Sequence, residues 1–569
     1  MAAKRLDRLD RLLTQLEECR YQFGEGAASR AVTLLKSLAA SQFPDPQSLI
    51  RYHEALLFLR AFPQGAGVIR MTVRLLNSFS QRVATLRQSG MDLSSWDTFE
   101  FAGVAGTAME DTLSFNVARW LIGHMPGKVE IAWDNFEPGR AVGTTWPRFM
   151  PLLEDDAYVE ADTPWRQWLE AAKAKKRLGP EWLVRRLEEL PLPDSNQAEL
   201  YDSMRLPLRW DLGNSRVSRS RNWDRPRKVF YHTEPLISRS NVSLADELAK
   251  RPPAFTKLSR AQGHRVMDKI REVMLVRYRE LYGTTLGDPS SVVRADVGRG
   301  VSIYLWNLPP ESRLPLRAYV AGFSLKNGVP INYIEAIGLS EWMEVGFNTF
   351  YTFRGGETAW IYAQVLRCLC HLMGTTCVSV YPYQLGHDNE EAIESGAFWF
   401  YRKLGFRPGR PELLRLVESE ERKITANPKY RTPARTLRRL AASHVFYELP
   451  GSEVGTWDRF STRNIGLRAN ARMAGLYGGD IRRMQKETAR RLARILPETP
   501  PSWSTLEKKS LNNFAVVLAL VHDFSSWTRF EKDALARIIR AKAAGAEMKY
   551  LLLMQRHARL RNALLKIGS

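Results

Sequence analysis

The stretch from Thr352 to Pro408 constrains the fold of this chain more than any other. An alternating apolar segment runs into Gly355-Gly356, and a helical pattern follows from Ala359 to Met373. Gly374 ends that helix, and Cys377-Val378-Ser379-Val380-Tyr381 has the composition of a short strand. A second helix is expected from about Ala392 to Leu404, closed by Gly405. The order is strand, Gly-rich turn, helix, strand, helix. Such a turn presents unpaired backbone N–H groups at a helix N-terminus, where an anion such as phosphate is favoured.

At 569 residues the chain has room for about three or four domains. Its 44% hydrophobic content and 16 Trp suffice for packed cores, which excludes wholesale disorder. The opening MAAKRLDRLDRLLTQLEEC is charged every few residues and lacks the apolar centre of a signal peptide. No apolar run reaches the ~20 residues of a spanning helix, and the best, Phe514 to Val521, is too short. These features point to a cytoplasmic protein without a membrane span. Cys19, Cys368, Cys370 and Cys377 show no C-x-x-C spacing, so neither a zinc ribbon nor a disulfide framework is supported.

The net charge is +22, and residues 431–569 hold 26 Lys and Arg against 11 Asp and Glu. A basic surface of that size attracts RNA, DNA, anionic lipid or a nucleotide cofactor. A solvated set of Arg-rich helices accounts for the same residues.

Leu6, Leu9, Leu13 and Leu16 fall on one face of an opening helix. Asp45-Pro46 is a helix start, with the apolar pattern running to Phe62, and Val68 to Val83 repeats it. Residues 1–190 therefore read as a helical scaffold or interaction domain, with an irregular part around 125–165. Arg209 to Lys228 carries seven basic residues against two acidic, with Trp210 and Trp223. It could clamp a phosphate backbone while the indoles stack on bases, or serve as an exposed linker, so 191–258 is taken as a basic Arg/Ser-rich linker region.

Ser259 to Tyr282 is an amphipathic helix with Val266, Ile270, Val273, Met274 and Leu281 on its buried face. Strand-like runs follow at Val301–Trp306, Leu316–Leu325, Ile331–Leu339 and Met343–Phe353, with Lys326-Asn327-Gly328 as a hairpin turn. Beyond Pro408 short helices are expected at Arg410–Lys423 and Arg435–Ser443 and a breaker at Pro497–Pro501. Thr528 and Glu531 have capping-box spacing, and a last basic helix runs from Met548 to Ile567.

Over residues 259–410 this order and its motifs resemble the GNAT superfamily of N-acetyltransferases. The family's turn after its fourth strand reads R/Q-x-x-G-x-G/A, and here Arg354-Gly355-Gly356-Glu357-Thr358-Ala359 supplies the Arg and the final Ala, with Glu357 at the central Gly. The family's fourth helix ends on a pattern close to A-x-x-x-Y-x-K-x-G-F, matched by Ala397, Tyr401, Lys403, Gly405 and Phe406. The family's Asn lies nearer the Tyr; here Asn389 lies twelve residues before it and Glu394 occupies the expected place.

The resemblance implies a central GNAT-like mixed sheet in a domain at 259–430; with the mostly helical patterns at 1–190 and 431–569, the expected fold class is α+β. The resemblance also implies acyl transfer from acetyl-CoA or another acyl-CoA to an amine, with Arg354, Gly355, Gly356, Glu357, Thr358, Ala359 and Asn389 at the cofactor and Tyr401 as proton donor to the departing thiolate. Glu391 and Glu394, in an acidic run after His387-Asp388, are candidate bases, while Asp388 or Asn389 as a helix cap is the alternative role of that run. No second His lies at ligand spacing from His387, so no metal is expected. Two other readings remain: an aminoacyl-tRNA-dependent transferase, and a non-catalytic GNAT-fold scaffold whose basic helices in 431–569 bind RNA, another polyanion or a protein.

Overall fold

The computed structural model describes residues 2–137, 139–150, 165–173, 175, 177–497 and 502–569. The side chain of Leu6, most of the expected breaker (498–501) and part of the expected irregular region (151–164) lie outside the described residues. The architecture is α+β, a mixed sheet with helical regions before and after it in the chain. It divides into two compact units, one of Met1–Pro235, Met267–Thr285 and Asn327–Pro330, the other of Leu236–Val266, Leu286–Lys326 and Ile331–Ser569.

The first unit begins with the helix Ala2–Cys19, which buries Leu9, Leu13 and Leu16. Asp45 caps the helix Pro46–Ala61 by accepting from the Ser48 N–H at 2.7 Å. The pattern expected from Val68 to Val83 divides into Ala66–Asn77 and Phe79–Gln88. The helical reading of 1–190 omits two strands, β1 (Ala108–Thr112) and β2 (Val129–Ile131), which pair with a central β3 (Pro207–Asp211).

Part of the expected exposed linker is core: Trp210, Ser218, Arg219, Ser220 and Asn222 are buried, while Arg216, Arg225, Arg227 and Lys228 are exposed. Arg219 pairs with Glu54 at 2.8 Å, and Ser220 Oγ lies 2.9 Å from His53 Nε2. His53 Nδ1 lies 2.9 Å from the Glu54 carboxylate. Ser220 and His53 are wholly buried, and this hydrogen-bonded network ties the helix Pro46–Ala61 to the Arg219-Ser220 turn.

The second unit is built on a nine-stranded sheet. Its strands are β4 (Phe255–Lys257), β5 (Val293–Gly298), β6 (Val301–Asn307), β7 (Ala318–Lys326), β8 (Val329–Leu339), β9 (Trp342–Thr349), β10 (Cys377–Val380), β11 (Arg407–Pro408) and β12 (Val445–Glu448). They lie in the order β11-β12-β10-β9-β8-β7-β6-β5-β4. Asn327 and Gly328 take φ of 48° and 76°, the turn that joins β7 to β8 in two residues. β8 and β9 are antiparallel, whereas β9 and β10 are parallel and joined through the helix Thr358–Met373.

Along β8 and β9 one set of alternating side chains is buried: Ile334 faces Phe347, Ala336 faces Val345 and Gly338 faces Met343. Gly338 lets two helices approach that face, since a Cβ there would lie 2.7 Å from Met373 and 3.0 Å from Leu551. The second of these, Glu547–Gln555, is tied to the sheet by the Tyr319 N–H, which donates to Glu547 Oε2 at 3.1 Å. The basic C-terminal helices thus share a unit with the sheet rather than forming their own.

Two expected helices are interrupted. Gly396, with φ of 64°, separates Glu390–Glu394 from Ala397–Arg402. His557 begins a new helix, Ala558–Gly568, by accepting from the Leu560 N–H at 3.1 Å. The helix expected over Ser259–Tyr282 spans Arg260–Leu275. The Thr528–Glu531 capping box forms, and an unexpected second one forms at Ser504 and Glu507.

Candidate functional site

After β9 the chain turns through Tyr351–Phe353, and the Gly356 N–H donates to the Phe353 carbonyl at 2.9 Å. The helix Thr358–Met373 begins there and ends at Gly374, φ 64°. The N–H groups of Thr358, Ala359 and Trp360 precede any intrahelical acceptor, so the turn carries partial positive charge. Arg354 and Gly355 are exposed, and Gly356 and Thr358 are half-buried.

Glu357 turns inward. Its carboxylate is fully buried, 3.1 Å from Lys326 Nζ and 2.9 Å from Arg299 Nε, and it accepts from the Ile237 N–H at 3.2 Å. Two cations thus meet one carboxylate beneath the turn, and the charge of Glu357 is neutralised rather than presented to solvent.

Arg354 and Glu391, expected respectively at the cofactor and as a base, are brought together as an ion pair. Asn389 caps the helix Glu390–Glu394, accepting from the Ala392 N–H at 3.2 Å and donating to the Tyr383 carbonyl at 3.0 Å. Glu394 is exposed, and Glu390 pairs with Arg438 at 2.7 Å. His387 and Asp388 are also exposed, 3.7 Å apart.

Tyr401 is buried, and its hydroxyl donates to Gln384 Oε1 at 3.2 Å. Burial raises its pKa, so the phenol keeps its proton. The same Gln384 oxygen accepts from the Phe347 N–H at 3.2 Å. That N–H is reachable because β9 and β10 part company: Trp342, Met343 and Glu344 pair with Cys377, Val378 and Ser379, while β9 continues to Thr349. A notch opens where the strands diverge, and the Gln384 carboxamide bridges it from the β9 edge to Tyr401. Tyr362 packs 5.7 Å from the Tyr401 ring, and its buried hydroxyl has no hydrogen-bond partner.

The half-buried face of β8 and β9 holds residues that the sequence reading passed over. Glu335 lies opposite Gly346, and Ile337 opposite Glu344. Glu335 accepts from the Tyr319 hydroxyl, and Glu344 lies 2.8 Å from His444 Nε2. Because a carboxylate only accepts, that imidazole nitrogen carries the proton. The available signal was Glu335 in β8 and Glu344 and Asn348 in β9, polar residues that strand alternation puts on one face.

Compared with family models, curated proteins and solved structures, the chain matches none. The site therefore rests on its own chemistry.

All four cysteines are free and buried, and burial pushes the Cys368 and Cys370 thiols up to about 12, which keeps them from acting as nucleophiles. Among the described residues no group of three or more His, Cys, Asp or Glu is arranged for a metal ion, and no helix is long and apolar enough to cross a membrane.

Proposed function

We propose that the second unit is a GNAT-type N-acyltransferase that moves an acetyl or other acyl group from acyl-CoA directly to an amine. The observation that carries this reading is the meeting, at Gln384, of the β9 edge beyond its pairing with β10 and the Tyr401 hydroxyl. An extended arm that carries amides, as that of coenzyme A does, docks on such an edge by strand addition. The donor's phosphates lie on the turn Arg354–Ala359, whose helix dipole favours anions.

In the reaction the amine lone pair attacks the thioester carbonyl carbon, the N–C bond forms, and the C–S bond breaks. Tyr401 gives its proton to the departing thiolate. The amine's proton passes to a carboxylate, with Glu391 and Glu394 on the helix side and the Glu344–His444 pair on the sheet side as the groups within the unit. Acetyl-CoA turnover over a panel of amines tests the reading. Release of free coenzyme A that depends on the amine supports it, and no release with any amine removes it.

A second reading rests on the helices Thr462–Tyr477 and Ile481–Ile495. Residues 462–495 carry nine Lys and Arg against two acidic residues. Arg482, Lys486, Arg490 and Arg494 are exposed, and among the described residues no carboxylate lies within ion-pair distance of them. That face suits RNA or another polyanion, either on a non-catalytic scaffold or in a transferase whose donor is aminoacyl-tRNA. Retention of charged tRNA on filters at low salt distinguishes this donor from acyl-CoA.

A further inference from the structure

We propose that the Gln384 side chain is a plug: its carboxamide holds the two hydrogen-bond donors that an acyl donor must take over, and it rotates away when that donor binds. The inference rests on the acyl-transfer reading, whose site it regulates.

The local sequence explains why a plug forms here. β10 ends at Val380, and Pro382, which has no N–H to extend the ladder, opens the short helix Pro382–Leu385. β9 runs on to Thr349 without β10 beside it. Gln384 reaches back across the gap and fills it. Its Oε1 accepts from the Phe347 N–H at 3.2 Å and from the Tyr401 hydroxyl at 3.2 Å. Its Nε2 lies against Gly346, where a Cβ would come within 3.1 Å of it, so glycine at that position lets the carboxamide lie on the strand.

A glutamine carboxamide offers the same group as the amides of the coenzyme A arm, a carbonyl oxygen that accepts from a strand N–H. The Phe347 N–H has one hydrogen, so Gln384 and an added strand compete for it. The same rotation of Gln384 that frees this N–H also releases the Tyr401 hydroxyl, the proposed proton donor. One side chain therefore controls both the docking edge and the acid.

The movement is confined to that side chain. Pro382 and Leu385 are buried, and Asn389 donates to the Tyr383 carbonyl at 3.0 Å, which together hold the turn in place. Gln384 itself is half-buried and follows the exposed Tyr383, so its carboxamide has solvent within reach when it leaves the edge. Donor affinity is then reduced in proportion to the fraction of molecules in which the plug stands open.

The test is calorimetric titration of acetyl-CoA, and separately of S-acetylpantetheine, into the full-chain wild type, Gln384→Ala and Gln384→Glu. S-acetylpantetheine carries the amides and the thioester without the phosphates. Gln384→Ala removes the plug, and both probes are expected to bind about fivefold more tightly than to the wild type. Gln384→Glu keeps an acceptor whose charge holds both hydrogens more strongly, so both probes should bind more weakly. The uncharged probe separates that loss from repulsion of phosphates. The gain in Gln384→Ala is a result that misfolding cannot produce. If Gln384→Ala binds the probes no more tightly than the wild type does, Gln384 holds Tyr401 in place without blocking the edge, and the plug is overturned while the acyl-transfer reading stands. If neither probe binds the wild type or Gln384→Ala, both fall.

Discussion

Lys326 Nζ lies 3.1 Å from the Glu357 carboxylate, and both side chains are fully buried. Glu357 immediately precedes the helix Thr358–Met373, and this pairing gives its buried carboxylate a structural purpose. Its carboxylate links β7 through Lys326 to the start of the helix Thr358–Met373, with Arg299 from the turn between β5 and β6 as a second partner. Glu357→Gln would leave two cations without their counter-charge. The expected cost is about 3–5 kcal/mol in urea unfolding, and the Lys326→Met, Glu357→Leu double variant should lose less than the two single losses combined. A loss below about 1 kcal/mol in Glu357→Gln would show that the pair does not hold the turn.

His53 predicts a pH dependence. Burial, the largest effect, holds its imidazole below the usual range, against the opposing pull of Glu54. The unfolded residue takes up a proton near pH 6.5, the folded one only at lower pH. The unfolded state therefore binds more protons as pH falls, and stability drops from about pH 6.5 downward. Thermal melts between pH 7 and 5 should show a shallower decline for His53→Gln than for the wild type. Parallel declines would mean that His53 does not titrate against folding.

Tyr401→Phe separates packing from chemistry. The ring stays among Tyr362, Phe400 and Phe406, so the expected stability loss is about 1 kcal/mol for the hydrogen bond to Gln384. Loss of the proton donor should lower kcat at least about 10²-fold with acetyl-CoA affinity unchanged. An unaltered kcat would restrict Tyr401 to the core.

Sequence alone carried the strands from Val301 to Thr349 well, because alternation and the Asn327-Gly328 turn are local signals. Asp45, Gly374 and the Thr528–Glu531 box were legible for the same reason. The partners of the site residues were not. Glu357 meets Lys326 and Arg299 across 31 and 58 residues, and Glu344 meets His444 across 100. Such meetings follow from sheet order, and β12 lies between β10 and β11, against chain order. The basic Arg209–Lys228 stretch was legible in part: Arg216, Arg225, Arg227 and Lys228 are exposed as in a solvated linker, whereas Arg219 is buried inside the first unit against Glu54.

The basic C-terminal pair of helices yields a salt test. If Arg482, Arg490 and Arg494 contact phosphates, replacing all three by Gln should weaken RNA binding and reduce the slope of log affinity against log salt by about 2–3. Equal slopes for the variant and the wild type would assign these side chains to solvent.

The central claim is that the turn before the helix Thr358–Met373 receives the phosphates of an acyl-CoA. Isothermal calorimetry of acetyl-CoA against the wild type and Gly356→Glu tests it most directly. The account predicts micromolar binding to the wild type and loss of binding by at least about tenfold when a carboxylate is added at the turn. No wild-type binding at several temperatures, with an independent equilibrium assay equally blank, would contradict it.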